Sequence, residues 1–412
     1  MSMIRNPALA EMGKRKIEWA KSFMPALSEI EREFAETKPF KGMVITTSVH
    51  LEAKTACLAL ALTAGGAEVH ATGCNPLSTH DDVAAGLAEM GVNVFAWHNC
   101  TPDEYTKQLS AALSCHPHLI LDDGGDLTEL LHGFCRSYGD RLIGGTEETT
   151  TGVNRHRARA AQGALAFPIV AVNDADMKHL FDNRYGTGQS TWDAIMHTTN
   201  VQVTGKTVVV AGYGWCGRGV AMRAQGLGAS VIITEINPVK AIEAVMDGFR
   251  VMKMDDAASL GDIFVTVTGC KDVITERHFA KMKHNALLSN AGHFDCEVDV
   301  AWLRGNAKER MNRRPSIEGF LQDDGRVLNV LAEGRLVNLA GGNGHPVEIM
   351  DMSFGVQALT LEYLVKHGEG LSRKVYGVPP EIDAKVSAYK LAALNVGIDA
   401  LTDGQKKYME SF

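Results

Sequence analysis

Gly212, Gly214 and Gly217 stand at G-x-G-x-x-G spacing inside TVVVAGYGWCGRGVAMRAQGLGASVIITEIN, residues 207–237. Val208 to Val210 read as a short buried strand, the residues after Gly214 as a helix, and Val231 to Ile233 as the next strand. In that setting the first glycine permits a tight turn, and the second lets the backbone approach a pyrophosphate. The third packs helix against strand, and free N–H groups at the helix N-terminus can hold the phosphates. Glu235, just past the second strand, can accept from the ribose hydroxyls of an adenosine and would repel a 2′-phosphate. The expected cofactor is therefore NAD rather than its phosphorylated form. A merely structural glycine turn is the alternative, and the strand, helix and acid in sequence weigh against it.

A second group of candidates collects at strand ends in the N-terminal half. Apolar runs at 43–48, 67–71, 92–97, 119–121, 142–144 and 169–172 alternate with helical stretches at 51–63, 81–90 and 102–114. This alternation predicts a parallel sheet covered on both faces, which binds ligands outside the carboxyl ends of its strands. His50 follows the first strand, Asn75 and Ser78 the second, Asp122 and Asp123 the fourth, and residues 147–151 the fifth. Lys178, Asp182, Asn183 and Gly186 follow the last, and 190–198 reads as a helix leading into the glycine-rich half. There, apolar runs at 262–268 and 286–289 end in small polar residues. Asn290-Ala291-Gly292-His293 comes next, and RLVNLAGGNGH at 335–345 reads as a return crossing. Helices are expected at 352–366 and 380–394. The fold class is α/β: two doubly wound parallel-sheet domains plus a short helical C-terminal region. The expected division is a substrate domain over 1–185 completed by 346–385, a cofactor domain over 186–345, and a C-terminal segment over 386–412.

The chain of 412 residues is long for one core, and 45% hydrophobic with 22% charged residues is a globular composition. A net charge of −8 without a basic block gives no reason to expect a nucleic-acid partner. The N-terminus lacks a signal-peptide core, and the longest apolar run, 57–67, is too short to span a bilayer. No membrane association and a cytoplasmic location are the expectations. The eight cysteines show no metal-ligand spacing and read as reduced, mostly buried thiols; fifteen histidines include no HExxH pair, so no metal is expected.

CNPLSTHDDVAA, LDDGGDLT, EETTTGV, VND with KHLFDNRYG, AGYGWCGRG, VIITEI, NAGHFD and VLAEGRLVNLAGGNGHP follow one another in this order. On these motifs the chain resembles the S-adenosylhomocysteine hydrolase family along essentially its whole length. The resemblance implies a tightly held NAD that is reduced and reoxidised within one turnover. The ribose 3′-hydroxyl is oxidised, the C4′ proton becomes acidic, homocysteine leaves from C5′, water adds, and the ketone is reduced back. Such a reaction needs a base for the 3′-hydroxyl, a base at C4′ and a proton relay near C5′. By resemblance Lys178 and Asp182 sit on the 3′-hydroxyl, with a lysine of depressed pKa taking its proton. Asp123 is the C4′ base, His50 the C5′ proton carrier, Glu148 binds the 2′-hydroxyl side and His293 the 3′ side. Thr149, Thr150 and Thr151 reach the nicotinamide; Asn183, Asn338 and His345 complete the cofactor's enclosure. Met350 and Phe354 fit an apolar purine wall, with ordinary core as the alternative. The implied partners are an S-nucleosylhomocysteine, its nucleoside and homocysteine, handled by a homo-oligomer, a tetramer, in the methyl cycle. Because both domains contribute, the cleft is expected to open and close about segments near 185–188 and 340–345.

Four departures from the family pattern matter. The chain ends at KKYMESF, without the usual extension that reaches a neighbouring subunit's NAD site, so weaker NAD retention is expected. Lys240 stands where an asparagine is common near the adenosine ribose, and Thr187 where a cysteine is common beside the nicotinamide. His50-Leu51-Glu52-Ala53-Lys54-Thr55 replaces a His-x-Thr-x-Glu/Gln-Thr pattern whose Glu or Gln reads the purine 6-position. A lysine there is only a donor, which suits a 6-oxopurine such as hypoxanthine better than adenine. The alternative is that Lys54 turns away to pair with Glu52 or Glu348. Two other classes compete: a simple NAD-dependent dehydrogenase that releases its ketone, and a non-catalytic nucleotide-binding homologue.

Overall fold

Two sheets, each with one break in its strand order, organise the computed structural model, which describes residues 2–411. The first contains β1 (Val44–Ser48), β2 (Glu68–Thr72), β3 (Asn93–Phe95), β4 (Leu119–Asp122), β5 (Gly144–Glu147) and β6 (Ile169–Ala171). The second contains β7 (Thr207–Ala211), β8 (Ser230–Thr234), β9 (Arg250–Val251), β10 (Ile263–Thr266), β11 (Ala286–Asn290), β12 (Glu309–Arg314), β13 (Ile317–Leu321) and β14 (Val327–Leu331). The chain then returns to add β15 (Val375–Gly377) to the edge of the first sheet, beside β6.

In the first sheet every pairing is parallel and the order is β15-β6-β5-β4-β1-β2-β3. Helices cover both faces, so β4 and β6 are buried along their whole length and are apolar apart from Asp122 at the end of β4. The connections leave β1 and β4 in opposite directions, which opens a crevice above their carboxyl ends. The second sheet runs β12-β13-β14-β11-β10-β7-β8-β9, with the corresponding crevice between β7 and β10.

The second sheet is parallel from β14 through β9 and ends in an antiparallel extension, where β13 pairs with both β12 and β14. Strand β5 lies later than the expected 142–144. Gly144 to Glu147 give no apolar run, yet they are the residues that pair with β4, and Leu142 and Ile143 only lead in. The shift ends the strand on Glu147 and makes Glu148 the first residue beyond it.

The first crossing between the sheets is helical from Asp176 to Thr199. A π-helical stretch, His179–Gly186, continues directly into the helix Thr187–Thr199, so the segment 185–188 expected as a hinge is not a loop. The helix Val347–His367 runs back under the first sheet and is buried at most positions from Met350 to Leu364. Its Asp351 accepts from Leu27 N at 2.8 Å and from Lys390 Nζ at 2.8 Å, tying an N-terminal and a C-terminal helix to the same point. The latter helix, Pro380–Ala393, spans the expected boundary at 385 without a break. Among the described residues no helix is long and apolar enough to cross a membrane. All eight cysteines are free; Cys57, Cys74, Cys100 and Cys135 are buried, Cys270 and Cys296 exposed.

Candidate active site

The two crevices face each other across one cavity of about 950 Å³. The crossing helix supplies Lys178, Asp182 and Asn183 to its floor, all buried. Lys178 Nζ donates to Asn183 Oδ1 at 2.7 Å and lies 3.5 Å from Asp182 Oδ1 and 3.7 Å from Glu148 Oε1. Asp182 is held further by His345 Nδ1 at 2.9 Å and by Ser353 Oγ at 2.8 Å. Burial alone would lower the lysine's pKa, but Asp182, then Glu148 and Asp123, outweigh it and hold the ammonium above the ordinary lysine range. The expected depressed lysine is therefore not found in this state. Burial would raise Asp182, yet Lys178 and His345 keep it well below the carboxylate range.

Glu148 behaves oppositely. Burial pushes it up to about 8 against the pull of Lys178, with Asp182 and Asp123 adding to the rise. It is the member of the cluster that takes up a proton first, which leaves Lys178 and Asp182 as the charged pair near neutrality. Its Oε2 accepts from Gln357 Nε2 at 2.5 Å, while Oε1 is buried with no hydrogen-bond partner among the described residues, Lys178 Nζ standing 3.7 Å away. An orphaned buried acceptor beside a cavity suits a ligand hydroxyl.

Asp123, just past β4, accepts from the Cys74 thiol at 3.2 Å and lies 3.5 Å from His50 Nε2 and 3.9 Å from His293 Nδ1. His50 is held from behind, its Nδ1 2.7 Å from Ser78 Oγ. Burial pushes His50 down to about 4 despite Asp123, with His293 and His345 adding to the fall, so the neutral imidazole is favoured at pH 7. His50, Cys74 and Asp123 bring three atoms able to ligate a metal within 4.8 Å of one another. Each is already in contact with another of the set or with Ser78.

At the far wall, Lys54 pairs with Glu52 at 3.2 Å and donates to Asn343 O at 2.9 Å. The pair stays in the cavity lining, to which Thr55, Met350 and Phe354 also contribute. Thr55 Oγ1 donates to His50 O at 2.6 Å. Glu52 also caps the following helix, Ala53–Ala64, through Lys54 N at 3.1 Å.

The opposite end fits a dinucleotide. Gly212 has φ 102°, a conformation that favours glycine, and a side chain begun at Gly217 would meet Gly212 O at 2.0 Å. The helix Trp215–Gly226 starts on Gly214 with no side-chain cap, so its first N–H groups are free for phosphates. Glu235 accepts from Asn237, Tyr213 and Ile236 N–H groups, which hold its carboxyl below the usual range against the effect of burial. Lys240 lines the same end, with Nζ 4.0 Å from where a side chain on Gly214 would begin. Asn338 Nδ2 donates to Ser190 Oγ at 3.0 Å, and its Oδ1 is a second buried acceptor without a partner among the described residues. Thr149, Thr150 and Thr151, at the start of the helix Thr150–Ala161, line the same cavity.

Three expected site residues do not line the cavity. Asn75 closes its own turn by accepting from Leu77 N at 2.9 Å; Ser78 stands behind His50, and Gly217 lies beneath the glycine turn. Several contributors were not singled out from sequence. Ser353 and Gln357 share a helix face with Met350 and Phe354, a 3–4–7 spacing that could have revealed them. Asn173 accepts from Asn183 and Thr150. Cys216 accepts from Thr187 Oγ1 at 3.6 Å, so a thiol absent at 187 is present next to it.

Residues 2–141 match the family described as "S-adenosyl-L-homocysteine hydrolase", and residues 183–344 match its "NAD binding domain". The "S-inosyl-L-homocysteine hydrolase" of Methanocaldococcus jannaschii is 53% identical over 412 residues, covering 100% of this chain and 99% of that protein. The "Adenosylhomocysteinase" of Pyrococcus abyssi is 52% identical over 409 residues, covering 99% and 97%. That of Aquifex aeolicus is 51% identical over 410 residues, covering 99% and 98%.

Proposed function

The chain belongs to the S-adenosyl-L-homocysteine hydrolase family, and on that footing we propose that it hydrolyses an S-nucleosyl-L-homocysteine reversibly to nucleoside and homocysteine, accepting a 6-oxopurine as the base. The observation that carries the chemistry is the single cavity in which Asp123 and Glu148 face Lys178 and Asp182 beside the glycine turn. When bound, NAD supplies the hydride acceptor for the ribose C3′ and a positive charge that lowers the pKa of a neighbouring ammonium. Lys178 and Asp182 hold the 3′-oxygen and the proton it loses. Oε1 of Glu148, which accepts no hydrogen bond among the described residues, takes the 2′-hydroxyl. Asp123 removes the C4′ proton, which the adjacent ketone has made acidic, and His50 passes a proton at C5′ as the thiolate leaves. A simple dehydrogenase would have no use for a second carboxyl site around Asp123.

The base reading rests on Lys54. Its pairing with Glu52 realises part of the alternative, but the pair remains in the cavity wall and presents an ammonium there. Relatives of equal similarity carry inosyl and adenosyl names, so they do not favour either base. Exposed Val239, Ile242, Val245 and Met246 on the helix Pro238–Met246 support self-association, which sedimentation would size.

The test is to mix the purified protein with S-inosyl- and S-adenosylhomocysteine. Thiol release and reduced-nicotinamide absorbance are followed together. A transient absorbance that decays as homocysteine appears is expected. Reduced cofactor accumulating with a free ketone would mean a dehydrogenase, and ligand binding with neither signal a non-catalytic homologue.

A further inference from the structure

Glu147 lies next to Glu148 but takes no part in the steps above. It ends β5 fully buried, and its Oε1 accepts from Gly124 N at 2.8 Å and Thr149 N at 3.0 Å. Its Oε2 is 2.8 Å from His156 Nε2, on the helix Thr150–Ala161. Gly124 directly follows Asp123, and Thr149 directly follows Glu148. One carboxyl thus grips the backbone immediately after each of the two acids that face the substrate cavity. Asp122, the other buried acid here, is used differently: it accepts from Leu127 N and Thr128 N and caps the helix Asp126–His132.

A second observation points the same way. Gly152 sits in the first turns of the helix Thr150–Ala161, where almost any other residue would favour the helix. A side chain begun there would meet Glu147 Cδ at 2.1 Å. The glycine is the space that the carboxyl occupies. Burial drives Glu147 well above the carboxylate range and His156 down to about 3, so the pair shares one proton rather than forming two separate charges. A buried polar network of this kind gains little net stability over apolar packing, so its placement on two site loops calls for another role.

We propose that Glu147, braced by His156, is a positioning residue that ties the Asp123 and Glu148 loops together, so that the C4′ base and the ribose-diol acceptor are presented to the substrate at a fixed separation. This rests on the roles assigned above to Asp123 and Glu148. Loosening the tie leaves both acids in place but lets their separation drift, and a displacement near 1 Å costs on the order of 100-fold in rate.

The test uses the full-length, NAD-loaded protein and the variants Glu147→Ala, Glu147→Gln, Gly152→Ala and Asp123→Asn. Three quantities are read per bound NAD: exchange of the C4′ hydrogen of a bound nucleoside with solvent, KM, and amide deuterium uptake over 122–128 and 147–152. Glu147→Ala should slow C4′ exchange on the order of 100-fold, raise KM and expose the Gly124 and Thr149 amides. Glu147→Gln keeps an oxygen for both N–H groups and a donor for His156, and should restore most of the rate. Gly152→Ala displaces the same carboxyl from outside and should reproduce the loss, which decides the matter if Glu147→Ala does not fold. A lowered melting temperature with unchanged exchange and KM per bound NAD, in either variant, would overturn the proposal. If Asp123→Asn itself leaves C4′ exchange intact, the assigned roles fail instead.

Discussion

Replacing Lys54 by glutamine should shift base preference toward adenine, and the size of the shift follows from the cavity wall. The ammonium has three donors, of which Glu52 and Asn343 O engage two. The third suits a 6-oxo acceptor. Against a 6-amino group it opposes donor to donor in a buried setting, a penalty of about 1–3 kcal/mol or roughly 5- to 150-fold in kcat/KM. A glutamine amide can turn its oxygen to an amino group or its nitrogen to an oxo group, so it removes the penalty without creating a new one. The substitution has a second effect, because Lys54 and Glu52 are both nearly buried. Leaving that carboxylate without its cation costs up to about 3–5 kcal/mol of stability, softened by the amide hydrogen bond that remains possible. Absolute rates would mix the two effects. The ratio of kcat/KM for S-inosyl- and S-adenosylhomocysteine, measured by competition in one tube, cancels the folded fraction. The natural protein should favour the inosyl substrate and Lys54→Gln should lose that preference; the double change Glu52→Gln, Lys54→Gln should do so without the stability loss. An unchanged ratio in both variants would remove Lys54 from base recognition.

Lys178→Ala should abolish cofactor reduction by added nucleoside, whereas Asp123→Asn should permit reduction and suppress C4′ hydrogen exchange; equal loss of both signals in both variants would refute the division of roles. Gly217→Ala should weaken NAD retention, read by cofactor content after gel filtration, because its new methyl would meet Gly212 O at 2.0 Å in the phosphate turn. His156 bears on acid stability: buried and pushed down to about 3 from 6.5, it resists in the folded state a proton that the unfolded chain accepts. His156's own contribution, intact above pH 6.5, is therefore lost as pH falls toward 3, while the raised pKa of its partner Glu147 acts in the opposite direction. Between about pH 7 and pH 5 this is roughly 2 kcal/mol. Since His156→Gln lacks that liability, melting curves should show its stability relative to the parent improving on acidification, and a pH-independent difference would contradict this.

Much of the site was legible because parallel strands all end at one rim: residues placed after strands from alternation alone fall around one cavity. What stayed hidden has physical reasons. β12, ERMNRR, is mostly exposed and is held by pairing with β13, so it carries no burial signature. Residues two apart do not face each other on a helix, so Glu52 and Lys54 gave no firm sign of a pair. They meet because Glu52 is an extended cap at φ −136°, outside the helix. The spacing of Lys178 and Asp182 indicated contact but not its electrical consequence. A depressed lysine follows from burial alone; the sum over Asp182, Glu148 and Asp123 reverses the sign, and those three come from separate stretches of chain. That sum also bears on the first chemical step. Asp123 is one of the groups that keep Lys178 protonated, so Asp123→Asn removes a charge opposing release of the lysine's proton. The variant that loses the C4′ base should thus reduce its cofactor at least as readily as the parent, and slower reduction in Asp123→Asn than in the parent would contradict this electrostatic sum.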